Sequence, residues 1–471
     1  MPPGVDEVRH DAASLQRFVD SIASSCQRDE EYPCYEDASK KFFKYIHSLG
    51  EATKNYLAQF VSLLDPNLAS SDPQDFYSQT QVIRTLRLGW FELHQLVKPA
   101  LDADTLHVPY PLVRALTSRF RLITGFNQAE FAVLHSTELN YFQMRASYMR
   151  ERAAEIAAIV PSAPPFPPEL GIVAIPYSQS SSLFLNVALA HEMGHFAFQE
   201  HDEASKLAPA VLRAIQTAAG RVLLPIELAW CKDRVLRWCE EVYCDLFALS
   251  LIGPAFSFSF IELFAYSRLA PNLAPGGTTT VPIASESTFR DSHPAAAYRL
   301  GEHVRFLQRD DVGWWKKIET SSSHYVRLLL DSAALPVTTT TYKFVTQYQY
   351  KPGLEKIALD AFFATANDLS ATVKATFAGV PSEADVFENQ CPLIEEYLSY
   401  GVVPSRLVPE DGAYSPSIVS LVNSAYLFYV DHLDTLINKI AGARAECLEC
   451  RSLWAERVEM WTSKALEDVT K

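Results

Sequence analysis

Residues 188–196 read ALAHEMGHF, and the run His191-Glu192-Met193-Gly194-His195 decides how the surrounding chain has to fold. On a helix, positions i and i+4 share a face, so both imidazoles converge on one point while Glu192 projects beside them. The flanking residues supply the helical context: Ser180, Ser181 or Ser182 can cap the start, and Leu183, Val187, Ala190, Gly194 and Phe198 lie on or beside one stripe. With 12 histidines in 471 residues, composition alone produces the pattern only about 0.02 times. Two imidazoles so placed suit a Zn2+ ion, with Glu192 directed at a metal-activated water. The competing reading is a pair of histidines facing a solvated cleft, with Glu192 an ordinary surface charge.

A hydrolytic zinc site takes a third protein ligand and keeps a fourth position open. Downstream, residues 236–249 read LRWCEEVYCDLFAL and place Glu241 and Asp245 on one helical face. Glu241 can ligate the ion while Asp245 accepts a hydrogen bond from the far nitrogen of a ligating histidine, which fixes its tautomer. Two other arrangements compete. Glu241 can pair with Arg237, four residues earlier, as a surface ion pair; or Glu240 can be the ligand, although its i+4 neighbour Cys244 is a poorer acceptor.

These residues resemble the gluzincin superfamily of zinc metallopeptidases, which carries His-Glu-x-x-His on one helix and Glu-x-x-x-Asp on a later one. The segment DSHPAAAYRL, residues 291–300, is similar to the Ser-His-Pro followed by Arg of the endopeptidase family that includes CaaX prenyl proteases and related bacterial heat-shock proteases. The resemblance covers about residues 165–310. It implies a zincin-like α+β core, His191, His195 and Glu241 as zinc ligands, Glu192 as general base, and His293 with Arg299 as stabilisers of an oxyanion. The substrate it implies is a peptide or protein. Tyr298 is a further candidate donor, and His293 is equally explained as a helix-start residue before Pro294.

Around this core, residues 1–160 read as a helical N-terminal region, because apolar residues recur at three- and four-residue intervals in Phe42, Phe43, Ile46, Leu49 and in Leu57, Phe60, Val61, Leu64. PSAPPFPPEL, residues 161–170, has five prolines in ten positions and reads as a stiff connector opening a core of residues 161–315. GIVAIPY (171–177) is predicted to be an edge strand offering backbone groups to an extended peptide. Residues 269–287 form a long Pro, Gly and Thr loop, with a helix expected over His293 to Gln308. Tyr342 to Tyr350 alternates like a strand or hairpin arm, and residues 316–471 read as a mostly helical C-terminal region.

The uncharged run LFALSLIGPAFSFSFIELFAY (246–266) approaches the length of a bilayer span. Gly253-Pro254 interrupts it and Glu262 lies inside it, so two buried helices joined at a turn are expected instead. Hydrophobic residues make up 48%, charged 21% and aromatic 12%, which provides ample apolar surface for a core. The net charge of −15 argues against a polyphosphate partner, so no nucleic acid is expected. Eight unevenly spaced cysteines and no apolar leader point to a cytoplasmic protein. Cys447-Leu448-Glu449-Cys450 reads as two unpaired thiols on a helix. The expectation is a mainly α protein with a small β element acting as a zinc-dependent metallopeptidase. The alternative is a non-catalytic zinc-binding regulatory or partner-binding protein on a degenerate core. A regulatory partner is compatible with either.

Overall fold

Helices dominate because most long segments repeat apolar residues every three to four positions. The computed structural model describes residues 5–30, 37–64, 73–102, 109–136, 142–144, 146–176, 182–269, 288–289, 293–310, 312–319, 326–327, 329–330, 343–344, 353–377, 383–409, 412–433, 436–437 and 448–470. The chain divides into two units, Met1–Val108 with Gln128–Ser180, and Pro109–Asn127 with Ser181–Lys471.

The first unit is built on α1 (Val5–Glu30), α2 (Asp37–Leu63) and α3 (Pro73–Asp102). Leu15, Val19 and Ile22 of α1 meet Phe42, Phe43, Ile46 and Leu49 of α2 and Leu86, Trp90 and Leu93 of α3 in one apolar cluster. Each such side chain stabilises by about 1.5–3 kcal/mol on leaving water. After α4 (Tyr110–Thr124), which belongs to the second unit, come β1 (Glu130–Ser136), β2 (Phe142–Met144), α5 (Ala146–Ile159) and β3 (Leu170–Pro176). β3 is the middle strand, parallel to β1 with Val133 opposite Val173 and antiparallel to β2 with Phe142 opposite Ala174.

Two expectations are corrected here. GIVAIPY is not an edge strand, because over Ile172–Ala174 its backbone is paired on both sides. Residues 1–160 are not helical throughout, since β1 and β2 fall inside them. Phe131, Ala132, Val133 and Leu134 are all buried, and a continuous apolar run of this kind has no period that separates strand from buried helix. The proline-rich run, read as a boundary, lies inside the first unit between α5 and β3, where Arg150 donates to the Pro168 carbonyl at 2.7 Å.

The second unit gathers around a long helix. α6 (Leu189–Glu200), entered through a 3-10 turn at Leu185–Ala188, and α7 (Glu203–Ala219) pack against α8 (Pro225–Ile252), which α9 (Ala255–Leu269) follows. α10 (Ala296–Asp310), α11 (Val312–Glu319), α12 (Leu354–Ala366), α13 (Leu369–Thr376), α14 (Ala384–Ser399), α15 (Ile418–Asp431) and α16 (Leu448–Val469) complete it, with α10, α12 and α13 also against α8. α8 can take so many neighbours because Val235, Trp238, Cys239, Val242 and Leu246 are buried along it. Two short strands, β4 (Thr288–Phe289) and β5 (Lys343–Phe344), pair in parallel. The parallel pairing rules out a hairpin between these two strands; Tyr342, 345–350 and 270–287 lie outside the described residues.

The apolar run 246–266 folds as expected. Gly253, at φ 79°, turns the chain between α8 and α9. The Asn423 side chain holds the turn, donating to the Ile252 carbonyl at 2.6 Å and accepting the Ala255 N–H at 2.7 Å. Glu262 is buried and accepts the Tyr426 hydroxyl at 2.8 Å. Among the described residues no helix is long and apolar enough to cross a membrane. Cys26, Cys231, Cys239, Cys244 and Cys391 are buried free thiols; the Cys447 to Cys450 side chains lie outside the described set.

Candidate metal centre

The segment leading to α6 starts at Ser182, whose hydroxyl oxygen accepts the Leu185 N–H at 3.3 Å; Ser180 and Ser181 lie outside the described residues. Ala188, the residue before α6, offers it no side-chain cap. His191, Glu192 and Gly194 face inward and are buried. A Cβ on Gly194 would stand 2.9 Å from the Cys244 Cα and 3.2 Å from its carbonyl oxygen, so α6 and α8 meet backbone to backbone at that point. Only glycine permits so close an approach.

The approach brings His191 and His195 over Glu241, one turn before Cys244 on α8. One ligand atom from each of the three lies within 4.8 Å of the other two. Nε2 of His191 is 3.5 Å from Glu241 Oε2, and Nε2 of His195 is 3.7 Å from Glu241 Oε1. These separations are long for hydrogen bonds. They are close to the edge of a tetrahedron, about 3.4 Å, that follows from zinc–ligand distances of about 2.0–2.1 Å. Glu241 Oε2 is buried and makes no hydrogen bond, which leaves it a lone pair to offer a metal ion beside its ion pair with Arg299.

A carboxylate stands beside each outer nitrogen. His191 Nδ1 lies 2.9 Å from Asp245 Oδ1, as the i+4 spacing from Glu241 predicts, and His195 Nδ1 is hydrogen-bonded to Glu240 Oε1 at 3.0 Å. Both imidazoles therefore present Nε2 to the centre. Glu240, weighed from sequence as a rival ligand, is instead the partner of His195. Adjacent residues diverge by about 100° around a helix, so the two glutamates reach opposite sides of one ring. The surface-pair alternative for Glu241 does not form, because Arg237 pairs with Asp233 at 3.1 Å.

Behind this layer stands α10. Arg299 donates through Nε and Nη2 to both oxygens of Asp245 at 2.6 Å, and its Nη1 lies 3.3 Å from Glu241 Oε2. His303, one turn on and fully buried, places Nε2 3.3 Å from Asp245 Oδ2 and Nδ1 3.2 Å from the Ser257 hydroxyl. Sequence reasoning did not find His303; its i+4 spacing from Arg299 was the signal available. His293 has a half-exposed side chain and places Nε2 3.5 Å from Glu241 Oε1. Tyr298 is not brought to the centre: its ring stands against Phe362 and Phe363, a quarter-turn of α10 away from Arg299.

Buried charges set the electrostatics. Burial opposes a charged His191, yet Asp245 and Glu241 raise its pKa to about 10. Burial likewise opposes a charged His195, and Glu240 with Glu241 raises it. Burial would raise Glu241, but His191, His293 and Arg299 hold it well below the usual carboxylate range. Asp245 is depressed in the same way, against burial, by Arg299, His191 and His303. Burial lowers His293, assisted by Arg299 and opposed by Glu241. The carboxylates thus demand positive charge at the imidazoles, which a divalent cation at the two Nε2 atoms could supply in place of protons.

Comparison of the chain with protein-family models, with curated proteins and with solved structures finds no match. The structure itself carries the assignment this far: His191, His195 and Glu241 form a buried group that could hold a metal ion.

Proposed function

We propose that the protein is a zinc-dependent peptidase, with His191, His195 and Glu241 holding the ion and Glu192 acting as general base. One observation carries the reading. Glu192 follows His191 in the first turn of α6, the helix that also carries His195, and it is buried there close enough to His195 to favour that imidazole's charged form. The motif's likeness to gluzincins, and within them to the CaaX and heat-shock endopeptidases, supports the same reading.

A zinc ion held by His191, His195 and Glu241 would supply Lewis acidity and would lower the pKa of a bound water to about 7. Glu192 takes the proton from the attacking water and returns it to the leaving amine. His293, half-exposed beside Glu241, donates an N–H to the developing oxyanion, and such a donor is worth about 3 kcal/mol. The guanidinium of Arg299 is committed to Asp245 and Glu241, so it orients these carboxylates and does not meet the substrate. Asp245 and Glu240 hold the imidazoles in the tautomer that leaves Nε2 free for the metal.

The test is Glu192→Gln assayed on a broad peptide library, alongside metal analysis. The expected outcome is unchanged zinc content with turnover reduced by roughly 10²–10⁴-fold. Equal processing by both proteins removes the peptidase reading, and absence of turnover in both, with zinc retained, favours the non-catalytic alternative.

A further inference from the structure

One helix of the metal-site unit comes from well outside the stretch that carries the motifs. α4 and the turn after it, residues 109–127, belong to the second unit, although the chain on either side of them belongs to the first. α4 packs on both metal-site helices, α6 and α8. Its Phe120 is fully buried and meets one ring from each: Phe196, next to His195, edge-on at 5.9 Å, and Phe247, two residues after Asp245, tilted at 5.8 Å. A ring wedged between two helices fixes their separation, because a close-packed interior leaves neither helix slack to move. Past the wedge, Phe126 stands 4.8 Å from the ring of His201, the residue that ends α6.

The residue beside the wedge holds α8 along its axis. Arg119 is buried and donates through Nε to the Leu251 carbonyl, in the last turn of α8, at 2.5 Å. Last-turn carbonyls have no partner within their own helix, and a cation there complements the negative end of the helix dipole. The guanidinium also pairs with Glu383, the residue before α14, where a negative charge suits the positive end of that helix. A buried guanidinium is costly to keep, and both of these contacts hold helix ends.

We propose that α4 is a clamp on the metal site, with Phe120 and Arg119 as positioning residues that hold α6 and α8 where His191, His195 and Glu241 converge. Gly194 permits the close approach of the two helices, and the clamp keeps it. Both residues act through the helices they hold and not on a substrate. The inference rests on the metal-site reading for its consequence and is independent of the peptidase reading. It also carries the functional unit beyond residues 165–310, because part of what shapes the site comes from residues 109–127.

The test compares full-length Phe120→Leu and Arg119→Met with the wild type and with Phe387→Leu, a control that truncates another buried ring of the same unit, packed on Trp314 at 4.1 Å. Zinc affinity of the folded protein, from competition with a chelator, is expected to weaken roughly threefold to tenfold in both clamp variants, less than for a residue that touches a ligand. It is expected to stay unchanged in Phe387→Leu, because a loss of stability alone does not alter the affinity of the folded state. Arg119→Lys keeps the charge at the end of α8 and is expected to recover most of the loss. Hydrogen exchange reads the clamp without metal: Phe120→Leu is expected to speed exchange roughly tenfold at amides 191–198 and 241–247 beyond any uniform change, an excess absent from Phe387→Leu. Affinity and local exchange in Phe120→Leu that match the control overturn the clamp, and this variant decides if Arg119→Met does not fold. A wild type that takes up no zinc would remove the metal-site reading, while the exchange comparison still decides the clamp.

Discussion

The first unit buries Leu, Ile, Val, Phe and Trp side chains, with Ser39, Thr53 and His135 as the buried polar residues among those described. The second buries full charges, among them Arg119, Glu192, Glu241, Asp245, Glu262 and Arg299. Apolar burial stabilises in proportion to area and asks little of its neighbours. A buried charge costs several kcal/mol unless it is paired and hydrogen-bonded, and a pair often does no better than a well-packed hydrophobic substitute. The contrast agrees with the proposed function: the unit that keeps carboxylates inside is the one that holds the candidate metal site.

The sharpest way to break this contrast is Asp245→Ala, which strands the Arg299 guanidinium and His303 in the interior. A stability loss of about 3–5 kcal/mol in urea denaturation is expected, with a fall in zinc affinity of roughly 10–100-fold. A loss below about 1 kcal/mol would show that the buried network is not held as described. Gly194→Ala comes next. Its methyl group would press on the Cys244 backbone, so about 1–3 kcal/mol and a lower zinc stoichiometry are expected, measured by thermal unfolding and metal analysis.

At the centre itself, Glu241→Ala is expected to lower zinc occupancy far more than Glu240→Ala, whose effect through His195 is limited to roughly 10–100-fold in affinity. The reverse order in a chelator competition would exchange the roles of ligand and partner. The smallest effect belongs to the apolar unit. Trp90→Phe removes the indole N–H donated to Thr53 at 3.2 Å and is expected to cost about 1 kcal/mol in hydrogen bonding, with zinc content unchanged. A change in zinc content would mean that the two interiors are not separable in the way their composition suggests.

The legible part of the site was its helical spacing. His191 with His195, and Glu241 with Asp245, are i,i+4 pairs, and any helix puts such pairs on one face. Tyr298 was misplaced as a donor because its nearness to Arg299 in sequence says nothing about direction around α10. His303 was missed because its partner Asp245 is 58 positions earlier and meets it only through packing. The sheet was half legible: GIVAIPY read as a strand, but its central position depends on β1 and β2, and pairing between distant segments leaves no local mark.

By itself, then, the sequence determined the helical class, the break at Gly253-Pro254 and the two faces that carry imidazoles and carboxylates, since all of these follow from bond geometry within a few residues. Only the tertiary structure decided which of Glu240 and Glu241 points inward, because that depends on how α8 is rotated about its axis. The rotation is set where Gly194 lets α6 touch the backbone of Cys244. It likewise decided that Arg119 meets the Leu251 carbonyl at the end of α8, a contact across 132 positions that no local preference encodes.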